Sequence, residues 1–323
     1  MVECGGCKVK NFIPGDLPPM ETVPCSKCGH PVMAPLNLRQ FELRAVIASG
    51  GMGTVFRAYD LNLHREVAIK LLKPEMAADP EIMDSFFREA RAGAALNHTN
   101  IIHIYTFDVC DGQVYLAMEL ADRGSLDSWI EREGTVPELN VLDVGIKMAS
   151  ALDKALQNDL LHRDIKPGNI LFNAEGEPQL VDFGLARGAD TGVGDENSVW
   201  GTPYYVAPEK IKREAETFLS DMYSLGGTLY HALTGHVPFE APTVEALVEA
   251  HVYTPLTPPN QVVPDISEET SNAIGKAMAK EPGERFQSYD EMIMALEIAR
   301  SHLLIRNTQE GSAPEGGRSW WRS

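Results

Sequence analysis

The residues of this chain best suited to chemistry lie in the run His162-Arg163-Asp164-Ile165-Lys166-Pro167-Gly168-Asn169-Ile170, with Asp182-Phe183-Gly184 starting twelve residues beyond it. Their types fit phosphoryl transfer. That reaction asks little covalent chemistry of a protein; it needs a carboxylate near the attacking hydroxyl, cations over the phosphates and oxygen ligands that hold Mg²⁺. Asp164 can supply the first and Lys166 a cation, while Asn169 and Asp182 can supply the metal ligands. Four roles at fixed spacings and in the right order exceed what a polar loop with coincidental acids would present.

A second run, Ala48-Ser49-Gly50-Gly51-Met52-Gly53-Thr54-Val55, stands between two strand patterns. Glycines let backbone N–H groups approach phosphate oxygens without side-chain obstruction. An ordinary hairpin is glycine-rich too, so the loop gains its meaning from Val67-Ala68-Ile69-Lys70 after it.

Together these runs resemble the eukaryotic-type (Hanks-type) protein kinases, most closely the bacterial serine/threonine branch, over some 80% of the chain. The resemblance implies ATP and Mg²⁺ as cofactors and assigns roles. Asp164 would orient and deprotonate the substrate hydroxyl, and Lys166 would neutralise charge growing on the γ-phosphoryl group. Lys70 would reach the α- and β-phosphates and pair with Glu89, from Phe86-Phe87-Arg88-Glu89-Ala90; Glu81 and Asp84 stand nearer the helix start and suit its dipole better. Gly50, Gly51 and Gly53 would cover the phosphates, with Ala48 where the first glycine is usual, a departure expected to alter loop flexibility or nucleotide affinity. Met118-Glu119-Leu120-Ala121 resembles the interlobe hinge: the Glu119 carbonyl and Ala121 amide would meet adenine, Met118 would stand behind it, and Val55, Ala68 and Leu171 would pack its faces. Asp127 could reach the ribose or serve as a helix-start acid.

The acceptor needs separate evidence. Gly201-Thr202-Pro203-Tyr204-Tyr205-Val206-Ala207-Pro208-Glu209 resembles the end of the activation segment, a platform for extended peptides in protein kinases. Lys166 with Thr202 favours serine/threonine specificity. Asp221 would brace the catalytic loop, and Glu209 would pair with Arg285. Protein substrates are therefore expected, with autophosphorylation among the expected reactions. Arg163 suggests a cation pocket for a phosphate on Ser198 or Thr191 first and Thr202 after them, since Thr202 better suits support of the catalytic loop, unless Asp195 and Glu196 already answer its charge.

The elements that must position these groups follow from periodicity. Strands are expected at Phe41–Ile47, Thr54–Tyr59, Glu66–Leu72, Ile101–Phe107 and Val114–Leu120, making a five-stranded antiparallel sheet. A helix is expected over Asp79–Leu96, with Asp79-Pro80 as cap and first position, and others over Val141–Asn158, Asp221–Thr234 and Tyr289–Leu304. A sheet-rich lobe followed by a helical one gives an α+β, bilobal architecture: residues 41–120 and 121–304, with a tail over 305–323 rich in Gly, Ser, Pro and Glu.

Ahead of it, residues 1–36 carry four of the five cysteines, as Cys4-Gly-Gly-Cys7 and Cys25-Ser-Lys-Cys28 with 17 residues between the pairs. This spacing predicts a zinc ribbon with tetrahedral four-thiolate coordination, a structural ion because four sulfurs leave no open position. Disulfides are the weaker reading, since a kinase needs cytosolic ATP where thiols stay reduced. His30 is a bystander or substitute ligand, Cys110 an ordinary thiol, and His30–Asn37 a linker or the module's last strand.

Net charge −18 and a pI near 4.9 argue against nucleic acid or anionic lipid as the main partner, and Lys8, Lys10 and Lys27 form only a modest positive set on the module. No signal peptide and no run of 18 apolar residues is visible, so a cytoplasmic location is expected with no membrane segment. Arg318-Ser319-Trp320-Trp321-Arg322 does combine residues as a membrane flank would, ahead of a helix in a longer chain. The competing function is a nucleotide-binding, pseudokinase-like scaffold that recruits partners through the ribbon; the complete catalytic set speaks against it.

Overall fold

Residues 2–4, 6–14, 17, 20–50, 53–183 and 203–309 are described by the structure, a computed structural model. The chain divides into two units, Met1–Ala94 with His103–Asp122, and Ala95–Ile102 with the chain from Arg123 onward.

The first unit begins with two short antiparallel ribbons, β1 (Val2–Glu3) with β2 (Lys10–Asn11) and β3 (Thr22–Pro24) with β4 (Pro31–Met33). A six-stranded antiparallel sheet follows, built from β5 (Leu36–Leu38), β6 (Phe41–Ser49), β7 (Gly53–Asp60), β8 (Arg65–Leu72), β9 (Ile104–Cys110) and β10 (Gln113–Met118) in the order β5-β6-β7-β8-β10-β9. Helices α1 (Pro74–Ala77) and α2 (Pro80–Ala95) lie between β8 and β9 in sequence. Asp79 Oδ1 accepts the Glu81 amide at 2.9 Å, the cap that the Asp-Pro pair predicts.

Alternation decides what each sheet face covers. Phe56, Ala58, Val67, Ile69, Leu71, Tyr115 and Ala117 share one core with Met33, Leu38, Phe41 and Leu43. Leu72, Val114 and Leu116 pack instead with Phe86 and Ala90 of α2. Each large apolar side chain so buried contributes about 1.5–3 kcal/mol. The sheet has six strands rather than five because Leu36–Leu38 pairs with Phe41–Leu43 through a two-residue turn at Arg39-Gln40. Arg39 sits at φ 50° there, and neither turn residue is the Gly or Asn that would have signalled a hairpin. β9 starts at Ile104 rather than Ile101, because Ile101 bridges to Leu180 in the second unit.

The second unit holds α3 (Leu126–Glu133), α4 (Glu138–Leu156), the hairpin β11 (Ile170–Phe172) and β12 (Pro178–Leu180), then α5 (Pro208–Ile211), α6 (Phe218–Thr234), α7 (Val244–Tyr253), α8 (Pro259–Val262), α9 (Glu268–Ala277) and α10 (Tyr289–Gln309). Thr217 caps α6 by accepting the Leu219 amide at 3.2 Å, which starts the helix ahead of Asp221. Gly235 ends it at φ 72°, in the left-handed region glycine tolerates. α4, α6 and α10 meet at Gly145, where an added Cβ would stand 2.8 Å from Leu229 Cδ1 and 3.1 Å from Leu296 Cδ1. α10 continues to Gln309, past the window that ends at Leu304. Among the described residues, no helix is long and apolar enough to cross a membrane.

Candidate active site

In the second unit the loop between α4 and β11 is held from beneath by Asp221 near the start of α6. The His162 and Arg163 amides donate to Asp221 Oδ2 and Oδ1, both at 2.7 Å. Burial pushes the Asp221 carboxyl above its ordinary range, with the His162 side chain and these two N–H groups pulling the other way. The His162 ring is fully buried; its Nε2 donates to the Val181 carbonyl at 2.8 Å, and its Nδ1 accepts the Asp164 amide at 3.3 Å. A carbonyl can only accept, so these two contacts fix the tautomer with hydrogen on Nε2. The ring also meets Phe183 edge-on at 4.8 Å.

Three expected residues converge on this loop. Lys166 Nζ donates to Asp164 Oδ2 at 2.7 Å, and Asn169 Nδ2 donates to the same oxygen at 3.0 Å and to the Asp164 carbonyl at 2.7 Å. Among the described residues both of these side-chain bonds fall on Oδ2 of Asp164 and none on Oδ1. Because Asn169 directs its NH₂ group at Asp164, its own carbonyl oxygen remains a hard ligand for a divalent cation. The Val181 amide donates to the Asn169 carbonyl at 3.0 Å, which sets Asp182 beside the same loop. Both Arg163 (φ 68°) and Asp182 (φ 61°) adopt left-handed backbone, uncommon for residues with a side chain.

In the first unit, register gathers the expected nucleotide residues on one sheet face. Val55 pairs with Lys70 and Lys70 with Leu116, while Ala68 pairs with Met118. Directly paired residues point the same way, so Val55, Ala68, Lys70 and Met118 share the face that buries Leu72 and Leu116 against α2. Lys70 is buried, 5.9 Å from the Phe86 ring. The Gly50 amide donates to the Gly53 carbonyl at 2.9 Å across the turn, and Ala48 and Ser49 pair with Val55 and Thr54. Gly53 has a packing reason of its own: a Cβ there would come within 2.2 Å of the Leu71 carbonyl oxygen. Glu119 follows β10 and its amide donates to His103 O at 2.8 Å; Ala121 is buried. Leu171 lies in β11 of the second unit, bridged to Ser125, and Asp127 occupies the first turn of α3 behind the Ser125–Ser128 capping box.

The segment after residue 203 is anchored by a buried ion pair. Arg285 meets Glu209 through two bonds of 2.7 and 2.8 Å, and Ser220 Oγ donates to Glu209 at 2.6 Å. Burial holds the Tyr205 phenol protonated and pushes the His231 imidazole down, so Tyr205 O–H donates to a neutral His231 Nδ1 at 2.7 Å.

The two cysteine pairs close on one point. Cys4 Sγ lies 3.6 Å from Cys28 Sγ, Cys7 Sγ lies 3.5 Å from Cys25 Sγ, and all four sulfurs fall within 4.8 Å of one another. A tetrahedron with metal–sulfur bonds of about 2.3 Å puts its sulfurs about 3.8 Å apart. No disulfide joins them. The Lys27 amide and Asn11 Nδ2 donate to Cys25 Sγ, both at 3.4 Å; led by the Lys27 bond, they bring that thiol down to about 6, toward the thiolate a metal needs. Gly29, at φ 74°, makes the turn after the second pair.

Gly51, Gly184, Gly201, Thr191, Asp195, Glu196, Ser198 and Thr202 lie outside the described residues, as does the side chain of Glu89 on α2. His162 and Ser220 carry no mark of their own in the sequence beyond standing next to Arg163 and Asp221. Arg163 Nε is buried without a hydrogen-bond partner among the described residues.

A sheet-bearing unit with a buried lysine, joined to a helical unit that presents an Asp–Lys–Asn constellation, defines the phosphotransferase class of the kinase fold. The protein kinase domain model matches residues 41–298, and the chain belongs to that family. It is 36% identical over 259 residues to the serine/threonine-protein kinase PknB of Mycobacterium leprae and 34% identical over 254 residues to PrkC of Bacillus subtilis, each match covering 78% of this chain. These matches span 42% and 39% of the relatives' own lengths. Among solved structures, a cysteine-to-alanine variant of the Mycobacterium tuberculosis PknI kinase domain superposes with a TM-score of 0.63 at 25% identity, covering 82% of this chain and 97% of that one.

Proposed function

We propose that this chain is a serine/threonine protein kinase that transfers the γ-phosphoryl group of Mg-ATP to protein hydroxyls, its own included, in bacterial signalling. The observation that carries the reading is the convergence of Lys166 and Asn169 on one oxygen of Asp164, with no side-chain bond to the other among the described residues. In this reading Asp164 Oδ1 accepts the proton of the substrate Ser or Thr as its oxygen attacks the γ-phosphorus. Lys166 moves its charge toward the transferring group, and Lys70 steadies the α- and β-phosphates with Glu89 as its partner. Asn169 and Asp182 hold Mg²⁺, which supplies charge neutralisation on the phosphates when bound. The family resemblance assigns Ala48, Gly50, Gly51 and Gly53 to the phosphates, and it assigns to adenine Val55, Ala68, Met118, the Glu119 carbonyl and the Ala121 amide of the first unit and, separately, Leu171 of the second.

The kinase region extends over 41–304, preceded by a zinc ribbon over 1–36 whose four cysteines hold one structural Zn²⁺. The protein works in the cytoplasm, where ATP is present and thiols stay reduced. Incubation with labelled ATP, Mg²⁺ and a generic basic protein tests the activity: label should appear on serine and threonine, and vanish in Asp164→Ala while ATP binding persists. Transfer retained in Asp164→Ala would overturn the assignment. Metal analysis should find about one zinc per chain.

A further inference from the structure

A metal site on a tethered module would leave the nucleotide-binding sheet untouched. This one shares a wall with it. Val32 and Met33 are neighbours on β4, and successive strand residues point to opposite faces. Val32 packs with Cys4 and Cys25 in the core of the cysteine module. Met33, 3% exposed, packs in the sheet core with Leu38, Phe41, Leu43, Ile69 and Leu71. β4 is itself held by the metal knuckle, because Cys25-Ser-Lys-Cys28 forms the β3–β4 turn and the Cys25 amide donates to the His30 carbonyl at 2.8 Å.

The connection continues toward the nucleotide face. The Ala34 amide donates to Glu21 O at 2.7 Å, and two residues on β5 begins and pairs with β6, Leu36 with Leu43 and Leu38 with Phe41. β6 ends at Ser49, directly before Gly50 of the glycine turn. Ile69 and Leu71, which share one core with Met33, flank Lys70 on β8, so Lys70 leaves the strand on the opposite face. Dense packing makes such a core respond to the loss of one wall, since the neighbours of Met33 would lose their contacts outright.

From this shared strand we infer that metal occupancy at Cys4, Cys7, Cys25 and Cys28 sets the affinity of the glycine turn and Lys70 for nucleotide. The inference rests on the reading of these cysteines as a zinc site and of this face as the nucleotide site, and it makes the ribbon a regulator in cis. Loss of zinc frees β4, Met33 withdraws from the sheet core, and β6 and β8 lose the support that orders the phosphate-binding groups.

Linkage supplies a test that needs no activity measurement. If zinc strengthens nucleotide binding by some factor, nucleotide must strengthen zinc binding by the same factor. The full chain is titrated with a non-hydrolysable ATP analogue plus Mg²⁺, before and after zinc removal by a chelator that is then dialysed away. The affinity should fall at least about fivefold on removal and return when zinc alone is restored. In the reciprocal arm, competition for zinc against a chromophoric chelator should show tighter zinc binding by the same factor when the analogue is saturating. Met33→Ala should keep its zinc while shrinking both effects together. One zinc per chain with the same analogue affinity in holo and apo protein would overturn the inference and leave the zinc reading standing. Absence of bound zinc would overturn both, and an apo protein that does not bind the analogue and fails to recover with zinc would show unfolding in place of linkage and count against it.

Discussion

Arg285→Ala is the substitution whose cost the structure defines most completely. Arg285 is among the largest fully buried side chains, and all five of its guanidinium N–H donors are used. Nε donates to Ala279 O at 2.9 Å, Nη1 to Glu209 Oε1 at 2.7 Å and Leu219 O at 2.8 Å, and Nη2 to Glu209 Oε2 at 2.8 Å and Lys280 O at 3.1 Å. Truncation leaves the Glu209 carboxylate, 4% exposed, with the Ser220 hydroxyl as its one remaining side-chain donor among the described residues, and takes the guanidinium donor from three half-buried carbonyls. Breaking a buried pair this way costs about 3–5 kcal/mol. At about 2–4 °C per kcal/mol for a domain of this size, the melting midpoint should fall by about 6–20 °C at pH 7. The pH dependence separates this cause from simple cavity formation. In the wild type burial pushes Glu209 up, but the bonds from Arg285 and Ser220 outweigh it and hold the carboxyl below its ordinary 4.5. A folded pKa below the unfolded one stabilises the protein above the unfolded value, and that contribution is lost as pH falls through the folded value. In Arg285→Ala the burial effect dominates, Glu209 takes up a proton in mild acid, and the variant's deficit should narrow as pH is lowered. Thermal melts of both proteins at several pH values read this directly. A shift under about 2 °C, or a deficit that stays constant into acid, would refute the reasoning.

Asp221→Ala removes the acceptor of the His162 and Arg163 amides, and the resulting displacement of Asp164 should lower the phosphotransfer kcat by about 100-fold while the nucleotide Kd stays near wild type; an unchanged kcat counts against the brace. Gly53→Ala should destabilise the protein by about 1–3 kcal/mol in denaturant titrations, because its Cβ would collide with Leu71 O. Gly50→Ala, whose Cβ meets nothing nearer than 4.0 Å, should leave stability close to wild type; equal costs at the two positions would refute the packing account of Gly53. His251 is fully buried, with Tyr223 O–H at 3.0 Å from Nδ1, the Phe239 ring 4.9 Å away and Lys280 Nζ on its carbonyl; burial and then Lys280 bring the ring down to about 4. The unfolded chain therefore binds more protons between pH 6.5 and 4, and stability should fall by roughly 3 kcal/mol on acidification through that window. His251→Gln should flatten this limb in urea unfolding, and a slope that persists would assign it elsewhere.

What could be read in the sequence was chemistry confined to short range. Asp164, Lys166 and Asn169 sit within six residues, and the structure places all three on one hydrogen-bonded cluster. Lys70 was legible because a lysine among Val67, Ala68 and Ile69 needs a reason, and the β7–β8–β10 register puts it on a face with Val55 and Met118. Glu209 and Arg285, 76 residues apart, became visible through family resemblance alone, and the three carbonyls that complete the Arg285 site carry no mark in side-chain sequence. β5 escaped because its turn lacks turn residues, so its pairing depends on Leu36 and Leu38 finding Leu43 and Phe41 in the fold. In the sequence Gly53 has the place of a phosphate-loop glycine; its closeness to the Leu71 carbonyl is a property of the twisted hairpin that no local pattern states.

The two strained residues of the site explain why His162 has to be a buried imidazole. Arg163 and Asp182 each occupy left-handed backbone, at φ 68° and 61°, a conformation that costs about 1–3 kcal/mol for a residue with a side chain. Strain persists where surrounding bonds over-determine it. Asp221 fixes the two amides entering the first strained residue, and the Val181 amide bond to Asn169 O fixes the approach to the second. His162 joins the two, since one ring accepts the Asp164 amide at Nδ1 and donates to Val181 O from Nε2. A phenylalanine would fill the space and offer neither bond; an asparagine would not span the gap with a rigid body. A neutral imidazole alone supplies an acceptor and a donor on opposite sides of a rigid apolar ring that packs against Phe183. The backbone that carries the proposed base at Asp164 and the proposed metal ligand at Asp182 is thereby tied together by a single side chain, whose two ring nitrogens bond the Asp164 amide and the Val181 carbonyl.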